Sequence, residues 1–355
     1  MNHEDPVLLH TEGRIRHLTL NRPRALNALN HTMVLRMAEA LDAAERDDSV
    51  AAVLLTGAGE RGLCAGGDIR AIRDDAIAGG GTALDFWRDE YRLNARIARF
   101  SKPYVAIMDG IVMGGGVGVS AHGSIRIVTE RSRIAMPETG IGFVPDVGGT
   151  YLLGRAPGEL GTHLALTGAA VGAADALLCG LADHFVPSRE LPGLIAALDL
   201  CATPSDVAAA VRRYAGTATG GELAAQRGWI DPCYGAGTVE EIVERLGDCG
   251  EPAAKEAAAT ILAKSPTALK VTLEAVRRAR RLDRLEAVLD QEFRVSSTAF
   301  TRPDLVEGVR AQIVDKDRNP RWNPAALTEV TDADVERFFA SLGDGELGLD
   351  APAAP

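Results

Sequence analysis

Two carboxylates, Glu138 and Asp146, lie eight positions apart in the stretch 136–149, which reads MPETGIGFVPDVGG. The prolines and glycines of this stretch exclude a continuous helix, so both acids are expected on a constrained loop. A carboxylate held near a reactant can act as a general base or a nucleophile, with the second acid as its partner. A loop acid can equally cap a helix or accept backbone hydrogen bonds. The pair therefore indicates a candidate catalytic site without identifying a reaction.

Two glycine-rich turns, Gly66-Gly67 and Gly114-Gly115-Gly116, each follow a predicted strand and precede a predicted helix. Backbone N–H groups at such turns can converge on one oxygen atom, which is what a developing oxyanion or enolate requires. The same glycines can serve only to permit tight turns and close packing. Neither turn matches the dinucleotide-binding fingerprint, because the G-x-G-x-x-G spacing and an acid about 20 residues later are missing.

The elements that must position these residues alternate between strand and helix in the first half of the chain. Short apolar runs predict strands at 7–10, 15–20, 51–56, 103–108 and 125–129. Longer amphipathic patterns predict helices at 30–47 and 82–100. From residue 150 onward the pattern is mostly helical, with clear helices at 173–179, 191–200 and along most of 204–294. This order predicts an α/β fold followed by a helical region.

Length, charge and hydropathy exclude several classes of protein. A chain of 355 residues can bury a substantial core in one large domain or two smaller ones. The net charge of −11 argues against general nucleic-acid binding, because neutralising phosphates requires a basic surface. The sequence contains no uninterrupted apolar run of about 18 residues, so no membrane span is predicted. The first six residues are polar and acidic and are not followed by the long apolar h-region of a signal peptide, so we expect no signal or transit peptide and predict a cytoplasmic location.

The five cysteines are scattered along the chain and form no C-x-x-C motif. They are Cys64, Cys179, Cys201, Cys233 and Cys249. This pattern indicates neither a disulfide framework nor a zinc site. Reduced thiols in an intracellular protein are expected, and no metal is expected.

Three motifs, taken in order, resemble the crotonase superfamily, also called the enoyl-CoA hydratase/isomerase superfamily. The motifs are Asn21-Arg22-Pro23 with the following 25–29, then 64–68, then 110–116. The resemblance implies a crotonase-like α/β fold, a spiral of β-β-α units with a helical C-terminal region. It also implies three segments. These are a core with the CoA-binding and catalytic site at 1–200, a helical region packing over it at 201–342, and a flexible tail at 343–355.

The same resemblance implies roles for individual residues around an acyl-CoA substrate. The backbone N–H groups of Gly67 and Gly115 would form an oxyanion hole for the thioester carbonyl. CoA is part of the substrate, so no separate cofactor is implied. The residues implied to contact the substrate or CoA are Arg24, Ala25, Ala65, Gly66, Asp68, Ile69 and Gly114, with Lys270 as a weaker candidate for a phosphate.

Two positions separate the branches of the superfamily. Its hydratases carry a second glutamate where this chain has Gly118, and a glycine where this chain has Asp146, whereas Glu138 is common to both patterns. A glycine has no proton to give, so two-acid hydration of an enoyl double bond is not expected. The runs 136–139 and 145–149 are similar instead to those of the 3-hydroxyisobutyryl-CoA hydrolases, and so are several C-terminal motifs.

The resemblance thus implies an enzyme that hydrolyses a short-chain 3-hydroxyacyl-CoA thioester, with 3-hydroxyisobutyryl-CoA, an intermediate of valine catabolism, as the first candidate. Glu138 would either attack the acyl carbon or deprotonate a water molecule, with Asp146 as its partner. The alternative is an enoyl-CoA hydratase or isomerase, and a more distant one is a non-catalytic CoA-binding or RNA-associated scaffold. Relatives form trimers or pairs of trimers, so a homo-oligomer of this kind is an expectation whose number the sequence leaves open.

Overall fold

The computed structural model describes residues 5–350. Within this range the strands are β1 Val7–Glu12, β2 Ile15–Leu20, β3 Ala52–Gly57, β4 Gly62–Cys64, β5 Tyr104–Met108, β6 Ile111–Met113, β7 Ile125–Val128, β8 Arg133–Ala135 and β9 His184–Phe185. The five strands predicted from apolar runs are confirmed, with ends that differ by at most a few residues. The short strands β4, β6, β8 and β9 were not predicted, because two or three residues carry too little pattern.

The α-helices of the described range are α1 His31–Arg46, α2 Ile69–Ala78, α3 Thr82–Ala98, α4 Gly115–Ser120, α5 Gly149–Gly154, α6 Leu160–Thr167, α7 Ala173–Leu178, α8 Leu191–Asp199, α9 Pro204–Tyr214, α10 Leu223–Tyr234, α11 Val239–Asp248, α12 Pro252–Leu262, α13 Pro266–Ala279, α14 Leu285–Phe300, α15 Pro303–Val309 and α16 Asp332–Glu336. Short 3-10 helices occupy Pro23–Ala25, Glu138–Ile141, Ser188–Glu190, Leu327–Glu329, Arg337–Phe339 and Gly343–Gly345, and a π-helical turn occupies Arg310–Val314. The predicted α/β class with a helical second half is confirmed.

Two sheets form a layered core. The larger has the strand order β1-β2-β3-β5-β7-β9, and the smaller has the order β4-β6-β8. Strands β1 and β2 pair as an antiparallel hairpin, and every other pairing is parallel. Successive strands along the chain alternate between the sheets, β3 then β4, β5 then β6, and β7 then β8. Each such pair is followed by helix or turn, which is the β-β-α spiral expected from the sequence.

Chain contacts divide the molecule into two compact units, each built from separate segments. The first unit comprises the described residues up to Gly67 together with Arg92–Ala135 and Val171–Gly221. The second comprises Asp68–Tyr91, Met136–Ala170 and the described residues from Glu222 onward. The predicted segments run continuously along the chain and meet at residue 200, whereas these units interleave. Local sequence patterns cannot reveal this interleaving, because it depends on tertiary packing.

Both sheets belong to the first unit, and its main core lies under the larger sheet. Alternate residues of the parallel strands, such as Leu54, Val105 and Ile127, pack against Leu194 and Leu198 of α8 and against residues of α9. Strands buried by helices carry continuous apolar runs, as β3 and β5 do here. This packing therefore holds the ends of the strands in fixed positions.

The second unit is helical and has aromatic contacts around the stretch that carries Glu138 and Asp146. The ring of Trp87 on α3 stacks on Phe143 at a centroid distance of 5.1 Å and meets the edge of Phe300 on α14 at 5.9 Å. Such aromatic pairs add stabilisation beyond the area they bury. They fix the loop after the 3-10 helix Glu138–Ile141 onto two long helices.

The segment after residue 342 is better ordered than predicted. Arg88 donates hydrogen bonds to the carbonyl oxygens of Gly345 and Glu346 at 2.8 and 2.9 Å, and Arg294 forms an ion pair with Glu346. The side chain of Leu347 is buried. The prediction of a flexible tail is therefore wrong for 343–350, because composition does not reveal these long-range contacts. Residues 351–355 lie outside the described range, as do residues 1–4, on which the prediction of no targeting peptide partly rests. Along 5–350, no helix combines the length and apolarity needed to cross a membrane.

Candidate active site

The two glycine turns of the first unit lie side by side. After β4, Gly66 adopts a φ of 107°, and Gly114 adopts a φ of 47° directly before α4 begins at Gly115. A methyl group added at Gly66 would lie 3.3 Å from the carbonyl oxygen of Met113 and 3.8 Å from the backbone nitrogen of Gly115. Residues with side chains rarely adopt these φ values, so glycine is required at both positions. The two turns are thus adjacent in the first unit.

The backbone N–H groups of Gly67 and Gly115 remain available for a ligand. Gly67 meets Leu29 through a single parallel bridge, in which the N–H of Leu29 donates to the carbonyl oxygen of Gly66 at 2.8 Å. Gly115 is the first residue of α4, and the first N–H groups of a helix have no acceptor within it. Within 5–350, neither N–H donates to another residue. Two free donors on adjacent turns can polarise a carbonyl oxygen.

Close packing also accounts for some of the glycines. A methyl group added at Gly116 would overlap the backbone carbonyl of Cys64, so this glycine lets α4 approach the end of β4. Ala65 donates from its backbone N–H to the carbonyl oxygen of Leu26 at 3.0 Å, which joins the turn after β4 to the loop after Pro23. The packing role and the donor role therefore fall on different glycines of the same two turns.

Arg24 and Ala25 are exposed in the 3-10 helix Pro23–Ala25 of the first unit. A cleft of about 360 Å³ opens beside them, with Arg24 and Arg61 among the residues that line it. Its wall is held by Asn27, which is fully buried and donates from Nδ2 to the carbonyl oxygens of Ala58 and Leu63. Two guanidinium groups beside a cleft of this size can bind phosphate.

The remaining predicted binding residues lie in the second unit. Asp68 is the residue before α2, and Ile69 is the first residue of that helix. The weaker candidate, Lys270, already has partners: its Nζ lies 2.6 Å from a carboxylate oxygen of Glu240 and donates to the carbonyl oxygen of Val330 at 2.9 Å. The charge of Lys270 is therefore neutralised by a protein carboxylate, which weakens its assignment to a phosphate.

Glu138 and Asp146 lie in the second unit at the two ends of a tightly bent loop. Glu138 is the first residue of a 3-10 helix, and the N–H of Phe143 donates to its carbonyl oxygen at 3.0 Å. The residue after Asp146 is Val147, with a φ of 53°, which is an uncommon and strained value for a β-branched residue. The N–H of Gly149 closes the turn by donating to the carbonyl oxygen of Asp146 at 2.6 Å. The loop therefore holds both acids in fixed positions.

Asp146 is buried and is held by one side chain. The hydroxyl of Tyr91, itself fully buried, donates to Oδ2 of Asp146 at 2.7 Å and also lies 2.7 Å from Oγ of Ser296. Burial raises the pKa of Asp146 to about 7, although the hydrogen bond from Tyr91 opposes this shift. A carboxyl group with a pKa near neutrality can exchange a proton during turnover.

Glu138 is also buried, with 7% of its surface exposed, and one of its carboxylate oxygens is unused. Its own backbone N–H donates to the carboxylate, whereas Oε2 has no hydrogen-bond partner within 5–350. Burial and the nearby charges of Asp146 and Glu292 raise the pKa of Glu138 well above its usual range, and the charge of Lys264 opposes them. A buried carboxylate oxygen without a partner is costly unless a reactant uses it.

Two further acids belong to this cluster. Glu292 on α14 accepts hydrogen bonds from the N–H groups of Gly148 and Thr150 and from the Thr150 hydroxyl, so it caps the N-terminus of α5. Burial raises the pKa of Glu292 to about 8. Glu90 on α3 is buried, and its Oε1 has no partner among the described residues. Burial and the charge of Asp146 raise the pKa of Glu90 well above its usual range.

The cluster also contains a cation, Lys264, which lies two residues before the first residue of α13, Pro266. A methyl group added at Gly140 would lie 3.5 Å from Nζ of Lys264, and one added at Gly168 would lie 3.3 Å from it. The ammonium group is therefore beside the 3-10 helix that starts at Glu138. Burial lowers the pKa of Lys264, and the charge of Glu138 opposes this effect.

Sequence reasoning did not assign Glu90, Tyr91, Lys264 or Glu292 to the site. A signal existed for Glu90, because it falls at helical spacing among buried apolar residues of α3, where an acid requires a reason. The roles of Tyr91 and Glu292 depend on contacts with residues far away in the sequence. Within 5–350, no group of three or more His, Cys, Asp or Glu side chains has an arrangement that could hold a metal ion.

Comparisons with known proteins agree with this architecture. The family model described as enoyl-CoA hydratase/isomerase matches residues 15–339. The rat protein named 3-hydroxyisobutyryl-CoA hydrolase, mitochondrial (Rattus norvegicus) is 43% identical over 96% of this chain and 90% of its own length. The human protein of the same name (Homo sapiens) is 40% identical over 97% of this chain and 90% of its own length.

Two solved structures share the fold over almost the whole chain. A protein from Mycobacterium thermoresistibile described as a carnitinyl-CoA dehydratase is 56% identical, with a TM-score of 0.94, and the match covers 98% of this chain and 100% of that one. A protein from Rhodobacter sphaeroides described as an enoyl-CoA hydratase is 42% identical, with a TM-score of 0.90, and the match covers 96% and 99%.

These comparisons contradict the predicted cytoplasmic location, since the similar curated proteins are named as mitochondrial. The prediction rested on the polar first six residues, and the reduced cysteines expected from the sequence could not correct it, because reduced thiols do not distinguish one reducing compartment from another.

The match along 15–339, the identity to curated relatives and the β-β-α spiral agree, and the chain belongs to the enoyl-CoA hydratase/isomerase family.

Proposed function

We propose that this chain hydrolyses the thioester of a short-chain 3-hydroxyacyl-CoA, and that 3-hydroxyisobutyryl-CoA is the preferred substrate. The observation that carries the proposal is the buried, unpartnered Oε2 of Glu138, close enough to Asp146 for the two charges to interact. The names of the rat and human relatives support the substrate. Free CoA and 3-hydroxyisobutyrate are the expected products.

In the proposed mechanism, Glu138 activates the oxygen that becomes part of the product acid. Either Oε2 attacks the acyl carbon and expels the CoA thiolate, leaving a mixed anhydride that water hydrolyses, or Oε2 takes a proton from a water molecule that attacks directly. Asp146, held by Tyr91, orients the water or the substrate and exchanges a proton. Both routes consume one water and release one thiol.

The N–H groups of Gly67 and Gly115 would donate to the thioester carbonyl oxygen, whose negative charge grows as the tetrahedral intermediate forms. Preorganised donors of this kind typically contribute about 3 kcal/mol each to lowering the barrier. The unpartnered Oε1 of Glu90 would accept a hydrogen bond from the 3-hydroxyl group, and this contact would favour hydroxylated acyl groups. Arg24 and Arg61, beside the cleft of the first unit, would bind CoA phosphates.

Hydration or dehydration of an acyl-CoA is the second candidate, because the two similar solved structures are described as a dehydratase and a hydratase. Against it stands Gly118, buried within α4, at the position where the superfamily's hydratases carry a glutamate. A glycine cannot deliver a proton to carbon, whereas thioester hydrolysis requires no such transfer.

A direct comparison of two substrates tests the proposal. Thiol release from 3-hydroxyisobutyryl-CoA is followed with a thiol reagent, and loss of the enoyl absorbance of crotonyl-CoA is followed in parallel. Rapid thiol release with slow hydration is expected, and Glu138→Gln should abolish the release. Fast hydration without thiol release would establish the second candidate instead. A panel that includes 3-hydroxypropionyl-CoA and longer 3-hydroxyacyl-CoAs then defines the acyl preference.

The two chemical routes differ in where solvent oxygen enters. If the anhydride forms, repeated turnover in heavy-oxygen water places label in the carboxylate of Glu138, which peptide mass spectrometry detects. If Glu138 acts as a general base, the label appears only in the product acid. The same protein sample can be used for both measurements.

A further inference from the structure

A cavity of about 300 Å³ lies in the second unit beside the loop that carries Glu138 and Asp146. Two residues of that loop, Gly142 and Val144, form part of its wall, whereas the two acids do not line it. The start of α13, the end of α14 and the start of α15 supply much of the remaining wall. The volume is at the lower end of the range for small-molecule sites, about 300–1,000 Å³.

The loop is packed directly against α15, whose first residues line the cavity. Gly142 adopts a φ of 70°, and a methyl group added there would overlap the backbone carbonyl of Asp304. A methyl group added at Gly308, near the other end of α15, would overlap the backbone carbonyl of Ile141. Such close backbone contacts leave little room for the loop to move independently of the helix. A ligand in the cavity would therefore touch the elements that hold both acids in position.

Arg302 is a charged residue of the wall that has no counter-ion. Its side chain is exposed, and its guanidinium carbon lies 5.7 Å from the centre of the Phe338 ring. Within 5–350 the guanidinium group forms neither an ion pair nor a hydrogen bond with another residue. A contact with a ring face leaves the N–H groups of an arginine free, and two of them match the geometry of a carboxylate.

The two acids of the wall already have partners. Oδ2 of Asp304 accepts a hydrogen bond from the hydroxyl of Ser265 at 2.5 Å, and Oδ1 accepts one from the N–H of Asn323 at 2.8 Å. Burial raises the pKa of Asp304, so its negative charge is disfavoured. Asp334 forms an ion pair with Arg337 at 2.6 Å. The unpaired charge of the wall is therefore positive.

Much of the remaining wall is apolar. The buried side chains that contribute to it are Val144, Ala268, Ala299, Val330 and Phe338. Such a surface binds an alkyl group favourably, whereas it leaves the polar groups of a sugar or a phosphate without partners. One free guanidinium beside an apolar wall suits a small carboxylate with an alkyl body.

We propose that this cavity binds a short-chain carboxylate, with the carboxylate group on Arg302 and the alkyl group against Val144 and Phe338. The acid released by thioester hydrolysis is one source of such a ligand, an assignment that rests on the proposed function, and a short fatty acid from another reaction is the second source. Because the bound acid contacts the loop and not the acyl carbon, it should change kcat for thiol release and leave KM for the thioester unchanged.

Binding of isobutyrate to the full-length chain, measured by isothermal titration calorimetry, tests the site. Arg302→Met should weaken binding by about 10–100-fold, because a hydrogen bond between charged groups is lost. Arg302→Lys should restore part of the affinity. Arg281→Met removes an equal charge from an exposed position and should bind isobutyrate as the unchanged protein does. Equal affinity in Arg302→Met and the unchanged protein would overturn the proposal.

Two further measurements test the shape and the ligand class. Ala299→Leu adds methyl groups inside the cavity without changing any charge, so it should abolish binding of isobutyrate. Circular dichroism shows whether this variant folds, and the Arg302 series decides the question if it does not. Inorganic phosphate should bind far more weakly than isobutyrate, because it lacks the alkyl group. Phosphate that binds as tightly, and through Arg302, would overturn the carboxylate assignment.

Thiol release from 3-hydroxyisobutyryl-CoA gives a readout of the coupling to the loop. Added isobutyrate or 3-hydroxyisobutyrate should change kcat in the unchanged protein and have no such effect in Arg302→Met. Tighter binding of the hydroxy acid supports the reaction product as the source, and tighter binding of isobutyrate supports a fatty acid. An increase in KM alone that persists in Arg302→Met would place the acid in the active site and overturn the proposal.

The failure of this proposal and the failure of the proposed function give different results. If thiol release is absent while isobutyrate binding still depends on Arg302, the proposed function is wrong and the carboxylate site stands. If thiol release is rapid while isobutyrate binding is indifferent to Arg302 and to Ala299→Leu, the hydrolase stands and the carboxylate site is wrong.

Discussion

The glycine turns of the first unit and the acid cluster of the second are built on opposite principles. The turns offer backbone N–H groups whose direction is fixed by strands and by the start of α4. The cluster offers buried carboxyl groups whose charge depends on pH and on neighbours such as Tyr91 and Lys264. Donors made of backbone do not titrate, and side-chain substitution cannot remove them. The first unit is therefore sensitive to shape, whereas the second is sensitive to charge.

The largest expected effect is loss of activity on changing the reacting acid. Glu138→Gln keeps the size of the side chain but removes the charge, so kcat for thiol release should fall by about 10²–10⁴-fold. Asp146→Asn should also abolish release. CoA affinity, measured by calorimetry, should be nearly unchanged in both variants. Turnover close to that of the unchanged protein would show that this cluster does not perform the chemistry.

Glu138→Gln should also increase the free energy of unfolding. Burial raises the pKa values of Glu138 and Asp146, so the folded protein binds more protons than the unfolded chain between the ordinary carboxyl pKa and the raised one. The free energy of unfolding should therefore fall as pH rises through this window, up to about 7 for Asp146. Glu138→Gln removes one titration, so its decline, measured by urea unfolding at several pH values, should be shallower.

The first unit should respond to a change of shape instead. Gly116→Ala places a methyl group against the carbonyl of Cys64, so it should cost about 1–3 kcal/mol of stability, like other overpacked sites. It should also shift α4 and reduce kcat. Its pH profile should keep the same midpoints. Gly172→Ala in the same unit is the matched control, because nothing lies within 4 Å of the added methyl group.

A smaller effect is expected from removing the hydrogen bond that lowers the pKa of Asp146. Tyr91→Phe removes the donor that stabilises the charge of Asp146, so the pKa of Asp146 should rise and activity at neutral pH should fall about tenfold. Tyr104→Phe is the control, because this buried tyrosine donates to the carbonyl oxygen of Val119 in the first unit. Both variants should lose stability, but only Tyr91→Phe should move the pH profile. An equal shift in both would assign Tyr91 a structural role alone.

The two regions were also not equally predictable from the sequence. Glycines between a strand and a helix indicate a tight turn, so the amino-acid sequence alone was enough to place Gly66, Gly67 and Gly114 at such turns. Glu138 and Asp146 were found because they interrupt a loop of prolines and glycines. What the sequence could not supply was their surroundings, since Tyr91 and Glu292 contact the loop from positions 55 and more than 140 residues away.

Local patterns were insufficient where a residue has a partner far away in the sequence. Lys270 lies in a motif that suggested a phosphate ligand, but Glu240 supplies its counter-charge. The composition of 343–350 suggested fraying, but arginines of α3 and α14 hold this segment. Strand and helix positions were predicted well because hydrophobic periodicity is local, whereas ion pairs and the interleaving of the two units are not.

The smallest expected effect concerns Lys264, whose ammonium group is beside the 3-10 helix that starts at Glu138. The groups that influence Glu138 are Asp146 on the same loop, Glu292 on α14 and Lys264 before α13, and only Lys264 is positive. Lys264→Met should therefore raise the pKa of Glu138 and move the acid limb of the kcat/KM profile to higher pH, with the plateau largely retained.

Two further variants separate this local effect from a change in net charge or in packing. Lys264→Arg keeps the positive charge and should restore the original profile. Lys255→Met removes an equal charge from an exposed position on α12 and should leave the profile unchanged. If Lys264→Met instead lowers the plateau at every pH with no movement of the acid limb, the ammonium group supports the loop by packing, and the charge balance of the cluster rests on burial and Tyr91 alone.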